Sequence, residues 1–479
     1  MPLLTSQLEQ KYFATSPNLP VNLRSVIIIN GQTVPISLNI TKWTCNLSTY
    51  GSPGTFEITT SLSNSPDIIG LVQETIKTPF IQDLNKLNNE KAWQSTIQQL
   101  VDVEIWVGYV DNPSNWVKEQ LTRVFHGFID ITRWIYDKDE LIIQGRDFSG
   151  LLMDTKAFVT TSEIDALSAQ TSVSAVATKF AKQVNLQAIV EPAINHDGSP
   201  ITIDFVYQNE NIRGGIPRSK WDILLFLARA ARFEVFVDPN KFLYFGPPPQ
   251  PGLNSWKQLQ NLNIDPKSLF NNLKFYWKSQ DQQLHKYDSI KTIEFKHNPR
   301  RNKTFEILVK SYHPKSTQIV ESRMVVLGIP ITISSGKTVR AGIYRGQAEQ
   351  TIFNELSSTF SQKNVPIYIF HKDGLNPTQA QQLAEEIAFD LAKREFIVDF
   401  TVLGNPNINN HSTIQFVGVD RVFSVTATGN VKRFEGIKFY PSSVEHSFGM
   451  DANGFTTKVQ CLNIPPASTA DPTQTFDTT

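Results

Sequence analysis

Residues 125–152 read FHGFIDITRWIYDKDELIIQGRDFSGLL, and this stretch decides the fold class of the chain. Its flanking segments, Thr122–Ile135 and Glu140–Asp147, are rich in β-branched and aromatic residues, which favour strands. The four residues between them, 136–139, are polar and few, as a tight turn requires. The stretch therefore predicts a β-hairpin.

The surrounding region, residues 21–155, has the same period of two and predicts a first β domain. Its clearest strand alternates aliphatic residues with polar ones, at Val101, Val103, Ile105, Val107 and Tyr109. Residues 66–100 interrupt this alternation with apolar residues at helical spacing, so we predict a helical insertion there.

Residues 156–250 change to an α+β pattern. Ser219 is predicted to cap a helix, with Asp222 three residues later and Trp221, Leu224, Leu225 and Ala228 on the buried face. Two short strands, 233–237 and 242–245, follow it as a hairpin. The proline-rich run 246–252 cannot continue a ladder, so residues 251–284 are predicted to be a linker and connecting segment.

Residues 285–465 predict a second β domain with an insertion at 326–395. The insertion ends in a helix that Asn376 caps and Pro377 begins, with a buried stripe of Ala380, Leu383, Ala384, Ile387 and Leu391. Residues 1–20 are predicted to be an amino-terminal arm and residues 466–479 a mobile tail. The predicted fold class is mainly β with α+β, two β-rich domains flanking an α+β domain.

Composition excludes one large class of function. Lys and Arg number 45 and Asp and Glu 45, so the formal net charge is zero. A protein that binds nucleic acid by neutralising phosphates carries a basic excess, and a neutral protein lacks the repulsion that keeps monomers apart. The sequence predicts association with other subunits, no specific nucleic-acid binding and no membrane span.

Two cysteines, Cys45 and Cys461, are too few for a disulfide framework, and we expect buried free thiols, although pairing stays open. No secretory signal is recognisable at the start of the sequence, which favours synthesis and folding in a cytosol.

No residue pattern indicates a cofactor or metal site. The segment 334–338 (SSGKT) resembles a phosphate-binding loop, but Ile331 stands where that loop needs its first glycine, so a turn between strands is predicted. The eight histidines include no i,i+4 pair, and the cysteines form no C-x-x-C. His126 is interpreted as a core or interface histidine, and His196 and His371 as turn residues.

Three weaker functional readings stay open. Ser149 follows a predicted strand without a nucleophile motif, and Asp130, Asp137 and Asp139 lie close enough in sequence to suggest a hydrolase carboxylate pair. Eight tryptophans suggest a carbohydrate-binding adhesin. The basic run 296–303 (KHNPRRNK) suggests a solvated loop more than a nucleic-acid contact, because no aromatics interleave with it.

Three segments together resemble one family. The hairpin 125–152 is similar to the "F-x-G-x-I … G-R-D-x-x-x-L-L" element of bacteriophage tail baseplate hub proteins of the late control protein D type, which are related to type VI secretion spikes. Residues 222–245 resemble that family's next helix and hairpin. Residues 382–417 and 440–462 resemble its closing element, which ends in "V-x-H-x-x-x-x-x-G-x-T-T", while Asn410 and His411 stand where the family often has Pro-Gly.

The resemblance implies a structural, non-enzymatic protein of the virion tail baseplate, assembled in the host cytoplasm. Its two β domains would be tail-tube-like β-barrels, and three chains would form a ring that adapts a sixfold tail tube to a trimeric spike. The implied partners are two further copies of the chain, the tube protein above, the spike and other baseplate proteins below, and DNA passing through the lumen. The alternatives are a tail-tip cell-wall hydrolase or peptidase, tested at Asp130, and a carbohydrate-binding adhesin.

Overall fold

A computed structural model describes most of the patterned sequence. The described residues are 22–34, 40–49, 51–61, 100–110, 112, 114–157, 171–194, 199–202, 218–248, 253–262, 264–277, 290–297, 304–312, 319–327, 331–332, 338–339, 342–345, 366–419, 434, 437–449 and 454–464. The predicted arm, the helical insertion at 66–100 and the tail at 466–479 lie outside these ranges, in whole or nearly so.

The first β region contains seven described strands. They are β1 (Asn22–Ile29), β2 (Gln32–Val34), β3 (Ile40–Ser48), β4 (Thr55–Ser61), β5 (Asp102–Val110), β6 (Thr122–Ile135) and β7 (Glu140–Asp147). The predicted β6–β7 hairpin is confirmed, and its turn is a 3-10 turn that ends in Asp139 at a left-handed φ of 53°.

The middle of the chain is α+β, as predicted. Its elements are α1 (Ser149–Asp154), β8 (Lys156–Ala157), α2 (Val173–Gln183), β9 (Gln187–Val190), β10 (Arg218–Ser219), α3 (Lys220–Ala231), β11 (Glu234–Val237), β12 (Phe242–Gly246), α4 (Leu253–Asn261) and α5 (Pro266–Leu269). The Ser219 hydroxyl accepts the N–H of Asp222 and caps α3, as expected. On that helix Trp221, Leu224 and Ala228 are buried, whereas Leu225 is only half-buried.

The last part of the chain returns to strands with one long helix. Its elements are β13 (Asn272–Tyr276), β14 (Ile290–His297), β15 (Thr304–Tyr312), β16 (Ile319–Leu327), β17 (Ile331–Thr332), β18 (Thr338–Val339), β19 (Gly342–Arg345), β20 (Ile367–His371), α6 (Pro377–Ala392), β21 (Phe396–Leu403), β22 (Thr413–Val417), β23 (Phe439–Gly449) and β24 (Phe455–Asn463). One position differs from expectation, because His371 ends a strand rather than lying in a turn.

Both β regions contribute to a single thirteen-stranded sheet. Its order is β14-β21-β24-β23-β3-β4-β7-β6-β5-β1-β2, with β22 pairing β23 and β13 pairing β22. The seam between the regions is the antiparallel pair β3–β23, where Cys45 lies opposite His446. The mainly-β fold class is confirmed, and the two regions also share one hydrophobic core, which includes Trp43, Phe56, Phe125, Phe400 and Val444.

The α+β part builds a second core against the end of the first region. A three-stranded sheet, β11-β12-β9, pairs β12 with β9 in parallel and packs on α2 and α3. Phe128 of β6, together with Leu151 and Leu152 of α1, belongs to this second core. The hairpin and the short helix after it therefore fasten the α+β part to the large sheet.

Helix α6 covers a separate four-stranded sheet, β19-β16-β15-β20. Asn376 caps it in a capping box with Gln379, as predicted. The buried stripe differs from the prediction, because Leu383, Ile387 and Leu391 are only half-buried. Its fully buried members are Ala380, Ala384, Ala388 and Ala392. Small side chains let the helix backbone approach the sheet closely, which explains this choice of face.

No helix among the described residues has both the length and the apolar character needed to cross a membrane.

Candidate functional site

The large sheet has one apolar face against the core and one polar face. Along β3, Trp43, Cys45 and Leu47 are buried and the residues between them are not. Cross-strand pairing continues this alternation from β14 to β7. We define the polar face by Glu294, Lys296, Asp399, Thr401, Lys458, Gln460, Ser443, Glu445, Lys42, Thr44, Asn46, Thr55, Glu57, Gln144 and Arg146.

Several charged side chains of the polar face lie beside groups of opposite charge. Arg146 donates through Nε and Nη2 to both oxygens of Asp130, at 2.7 and 3.0 Å, and also reaches Asp154. Lys296 pairs with Asp399 across β14 and β21, and Lys458 lies opposite Glu445. Acidic and basic side chains thus alternate, so that the face has no strong field of either sign.

Two glycines in the hairpin allow β6 and β7 to approach closely. A Cβ on Gly145 would lie 1.9 Å from the carbonyl oxygen of Phe128, and one on Gly127 would lie 2.1 Å from that of Arg146. The pairing register shifts by one residue between Ile129 and Ile131, a β-bulge. The "F-x-G … G-R-D" pattern is therefore a backbone requirement of this bulged pair.

Asp147, the last residue of that pattern, is buried where β7 meets α1. It accepts the N–H of Gly54 at 2.7 Å and the N–H of Ser149 at 2.9 Å, and Ser149 Oγ also donates to it. Burial raises the pKa of Asp147 to about 6, although these hydrogen bonds partly oppose the rise. The Ser149 hydroxyl donates to this carboxylate, and no described histidine contacts it. This arrangement fits a structural residue and not a catalytic nucleophile.

A cluster of charged residues joins the start of β5 to the β11–β12 turn of the α+β part. His126 Nε2 lies 3.0 Å from Asp102, whose carboxylate also accepts Lys241 Nζ at 3.0 Å. Arg123 reaches both Glu104, at 3.4 Å, and the side-chain oxygen of Asn240 in the β11–β12 turn, at 2.9 Å. Because Lys241 and Asn240 belong to that turn, the cluster fixes the turn against β5 and β6.

The pKa values in this cluster follow from burial and from charge. Burial lowers the pKa of His126, with Lys241 and Arg123 adding to the effect and Asp102 opposing it. Burial alone would raise the pKa of Asp102, but hydrogen bonds from His126 and Lys241 outweigh it and lower that pKa. His126 is a buried histidine at an internal interface, in agreement with its interpretation from sequence.

Asp102, Glu104 and His126 are also the only described residues that group as metal ligands would, with donor atoms within 4.8 Å of one another. Lys241 and Arg123 already supply positive charge to the two carboxylates. A metal ion would have to displace both cations, so the residues present do not fit a metal site.

The same β11–β12 turn also contacts the second β region. Asp238 Oδ2 lies 3.3 Å from Nε2 of His411, and both side chains are buried. The His411 ring packs against Phe236, Tyr244 and Phe270, with centroid distances of 4.7 to 5.1 Å. His411 therefore supplies a buried contact between the second β region and the α+β part.

His446 gives a structural meaning to the closing "V-x-H … G-x-T-T" pattern. Its Nδ1 lies 3.0 Å from Thr457 Oγ1 and its Nε2 lies 3.1 Å from the carbonyl oxygen of Ile408. A carbonyl oxygen can only accept, so Nε2 carries the ring proton of the neutral imidazole and Nδ1 accepts the Thr457 hydroxyl. Burial lowers the pKa of His446 to about 4.

The residues considered for catalysis do not converge. Asp130 is held by Arg146, Asp137 is exposed at the hairpin tip, and Asp139 accepts a hydrogen bond from Ser61 at 2.6 Å. Strands β17 and β18 pair antiparallel, and residues 333–337, which hold most of the SSGKT segment and its predicted turn, lie outside the described residues. His196 lies outside the described residues, and so do residues 298–303 of the basic run.

Both cysteines are free and buried, as expected. Burial raises the pKa of each thiol well above its ordinary value.

Among the described residues, the open edges of the large sheet are β14, β13, β2 and the part of β1 that β2 leaves uncovered. β14 pairs only with β21, and β2 covers only Ile27–Ile29 of the eight residues of β1. Unpaired edges of this length are normally covered or paired with another chain.

Comparison with solved structures finds proteins of similar architecture. The tail protein of Neisseria meningitidis MC58 superimposes with a TM-score of 0.50 at 12% identity, over 92% of this chain and 96% of that one. The chain shares the fold of that tail protein. No protein-family model and no curated protein matches the sequence.

Two further solved structures align with most of this chain. The 43 kDa tail protein of prophage MuSo2 from Shewanella oneidensis gives a TM-score of 0.45 at 14% identity, over 92% of this chain and 98% of that one. The E. coli c3393 protein is a type VI secretion component with reported similarity to the T4 tail proteins gp27 and gp5. It gives a TM-score of 0.36 at 8% identity, over 92% of this chain and 76% of that one.

Proposed function

We propose that the protein is the structural baseplate hub of a phage tail, a homotrimeric ring that adapts a sixfold tail tube to a threefold spike. The observation that carries this proposal is the β3–β23 seam, which joins two β regions from opposite ends of the chain into one curved sheet. Three copies of such a two-part sheet supply six β modules, the number that a sixfold tube requires.

The sheet edges suggest how the ring closes. The open edges β14 and β1 lie at or next to opposite ends of the strand order, so one end of a chain can meet the other end of its neighbour. Such a head-to-tail contact closes into a ring when the rotation between subunits is one third of a turn. Closure would also remove edges that invite aggregation.

The polar face is suited to line the channel. A lumen that passes DNA must be wet but must not hold phosphates, and paired charges such as Arg146–Asp130 and Lys296–Asp399 meet both needs. The tube protein, the spike and other baseplate proteins are the proposed partners, within a virion tail assembled in the host cytoplasm.

We propose no catalytic role. The carboxylate singled out for hydrolysis, Asp130, already accepts two hydrogen bonds from one guanidinium group, which favours a structural use.

The direct test is the mass and symmetry of the purified full-length chain. Light scattering is expected to give about three times the 54.1 kDa of one chain, and negative-stain images should show threefold rings with a central opening. A monomer at 100 μM that also forms no ring on addition of tail tubes would overturn the proposal.

The variant Asp130→Asn separates the hub from the hydrolase. The hub proposal expects unchanged mass and unchanged rings, with no peptidoglycan cleavage by either the variant or the parent chain. Cleavage by the parent chain that the substitution abolishes would favour the hydrolase instead.

A further inference from the structure

A cleft of about 410 Å³ lies where helices α3 and α6 meet β11. Its apolar lining includes Leu225 and Ala228 of α3 and Ile387 and Leu391 of α6. Gln382 donates to the carbonyl oxygen of Ala230 at 2.9 Å and helps to hold the two helices in place. The cleft is therefore a fixed groove with an apolar floor.

Charged side chains of both signs line this cleft. Its basic residues are Arg229, Arg232, Lys393 and Arg394, and its acidic residues are Glu234, Glu386 and Asp390. Arg232 pairs with Glu385 at 2.7 Å, and Lys393 pairs with both Glu234 and Asp390. Arg229 is exposed, and no described carboxylate pairs with it. Arg229 lies in the last turn of α3, where a cation stabilises the helix by offsetting its dipole. That effect does not account for the apolar side chains that line the cleft.

The chain leaves its last described strand beside this cleft. The Asn463 side chain donates to the carbonyl oxygen of Ala392 at 2.9 Å and accepts the N–H of Phe396 at 3.0 Å. The end of β24 is thus fixed to the last turn of α6, whose neighbouring residues Leu391 and Lys393 line the cleft.

The segment that follows has a complementary composition. Residues 465–479 read PPASTADPTQTFDTT and contain two acidic residues, Asp471 and Asp477, no basic residue, and one aromatic residue, Phe476. Twelve residues, 465–476, span up to about 40 Å when extended, which is ample for a cleft bordered by the helix turn where the segment begins. Polar, proline-rich sequence of this kind cannot form a core of its own and gains order only by docking.

We propose that this carboxyl-terminal segment docks into the cleft of its own chain. Phe476 would lie on the apolar floor beside Leu225, and Asp477 would pair with Arg229. The segment would then close the groove between the α+β part and α6 and add a contact that fixes α6 to the rest of the chain. The proposal is independent of the trimer, because it concerns one chain only.

Disulfide trapping in the full-length chain tests the position of the segment. The double variant Leu225→Cys/Phe476→Cys is expected to form an intramolecular disulfide under mild oxidation, read by mass spectrometry of tryptic peptides. The matched control pairs Phe476→Cys with Lys182→Cys, which lies exposed near the end of α2. Equal trapping in both variants, or a disulfide only between two chains, would overturn the proposal.

A spin label tests the role of charge without a disulfide. With the label on Thr475→Cys, electron paramagnetic resonance is expected to show an immobilised component that falls at least fivefold when Arg229→Glu is added. Lys182→Glu is the matched control, since it also reverses an exposed cation in the last turn of a helix. A label that is equally mobile with and without Arg229→Glu would contradict the proposal.

Discussion

The backbone N–H of Gly54 donates to the buried carboxylate of Asp147 at 2.7 Å, across 93 residues of sequence. A Cβ on Gly54 would lie 2.6 Å from that same oxygen, so only glycine allows the contact. Asp147 also accepts the N–H of Ser149, which begins the short helix α1. One carboxylate therefore ties the loop before β4 to the end of β7 and to the α+β part.

Asp147 should make stability depend on pH below neutrality. Its folded pKa of about 6 lies above the value of 3.8 for an unfolded aspartate, so the folded state binds more protons between these values. The stability it contributes is complete below pH 3.8 and is lost as pH rises through 6. The difference of about two units between the folded and unfolded pKa values corresponds to a change of about 3 kcal/mol in the free energy of unfolding.

Urea denaturation of the parent chain and of Asp147→Asn at pH 4.5 and pH 7 checks this prediction. The amide cannot ionise, so the difference in unfolding free energy between the two proteins should change with pH in the stated direction. Asp137→Asn is the control, because that carboxylate is exposed and should give no such change. A constant difference between parent and Asp147→Asn would contradict the prediction.

Gly145→Ala should be strongly destabilising. Its new Cβ would lie 1.9 Å from the Phe128 carbonyl oxygen, so the bulged β6–β7 pair would have to separate. We expect a loss of about 3 kcal/mol or more, as for other overpacked sites. Gly31→Ala is the control, since no atom lies within 4 Å of its Cβ position and only its positive φ of 77° costs about 1 kcal/mol. Equal melting temperatures for the two variants would refute the steric explanation.

Much of the local structure was predictable from sequence. Alternation identified β5, and the polar turn identified the β6–β7 hairpin, because both signals are local in the chain. The caps at Ser219 and Asn376 were predictable for the same reason. The buried stripe of α6 was predicted only in part. Ala380 and Ala384 were expected to be buried, but Ala388 and Ala392 were not, since larger apolar residues carry the stronger signal while close approach to the sheet selects the smaller side chains.

The contacts between distant parts were not predictable from pattern alone. The seam that places Cys45 opposite His446 joins residues about 400 positions apart, and no periodicity indicates which edges will pair. The Asp102–Lys241 contact joins a strand to a turn in another domain. The resemblance to hub proteins did mark His446 and Thr457, and the structure adds the hydrogen bond between them.

His446 should give the opposite dependence on pH to Asp147. Its folded pKa of about 4 lies below the value of 6.5 for an unfolded histidine, so the unfolded state binds more protons between these values. The stability it contributes is complete above pH 6.5 and is lost as pH falls through 4. The His446→Gln variant should be less stable than the parent chain at pH 7. Between pH 7 and pH 5 it should lose less stability than the parent chain loses.

Chemical denaturation at pH 7 and pH 5 measures this effect. His371→Gln is the control, because His371 is exposed at the end of β20. If His446→Gln loses as much stability on acidification as the parent chain, the burial of a neutral imidazole is not the cause.

Lys393 and Glu234 form a buried ion pair between α6 and β11, with side chains 9% and 6% exposed and a distance of 3.3 Å. Tyr440 also donates to Glu234, at 2.9 Å, so the carboxylate joins three parts of the fold. Lys393→Met should cost about 3 to 5 kcal/mol, because it leaves a buried carboxylate without its cation. Adding Glu234→Gln should recover much of that loss, since the charge that lacked a partner is then gone.

Thermal unfolding of the two single variants and the double variant gives the coupling between the residues. The exposed pair Lys296–Asp399 is the matched control, where Lys296→Met should cost less than about 1 kcal/mol because water already screens it. If the double variant shows no recovery, Lys393 acts through packing on Phe389 and not through its charge. Its Nζ lies 5.9 Å from the centroid of that ring. Recovery would show that this ion pair contributes through its charge to fixing α6 against the α+β part, beside the Gln382 and Arg232 contacts.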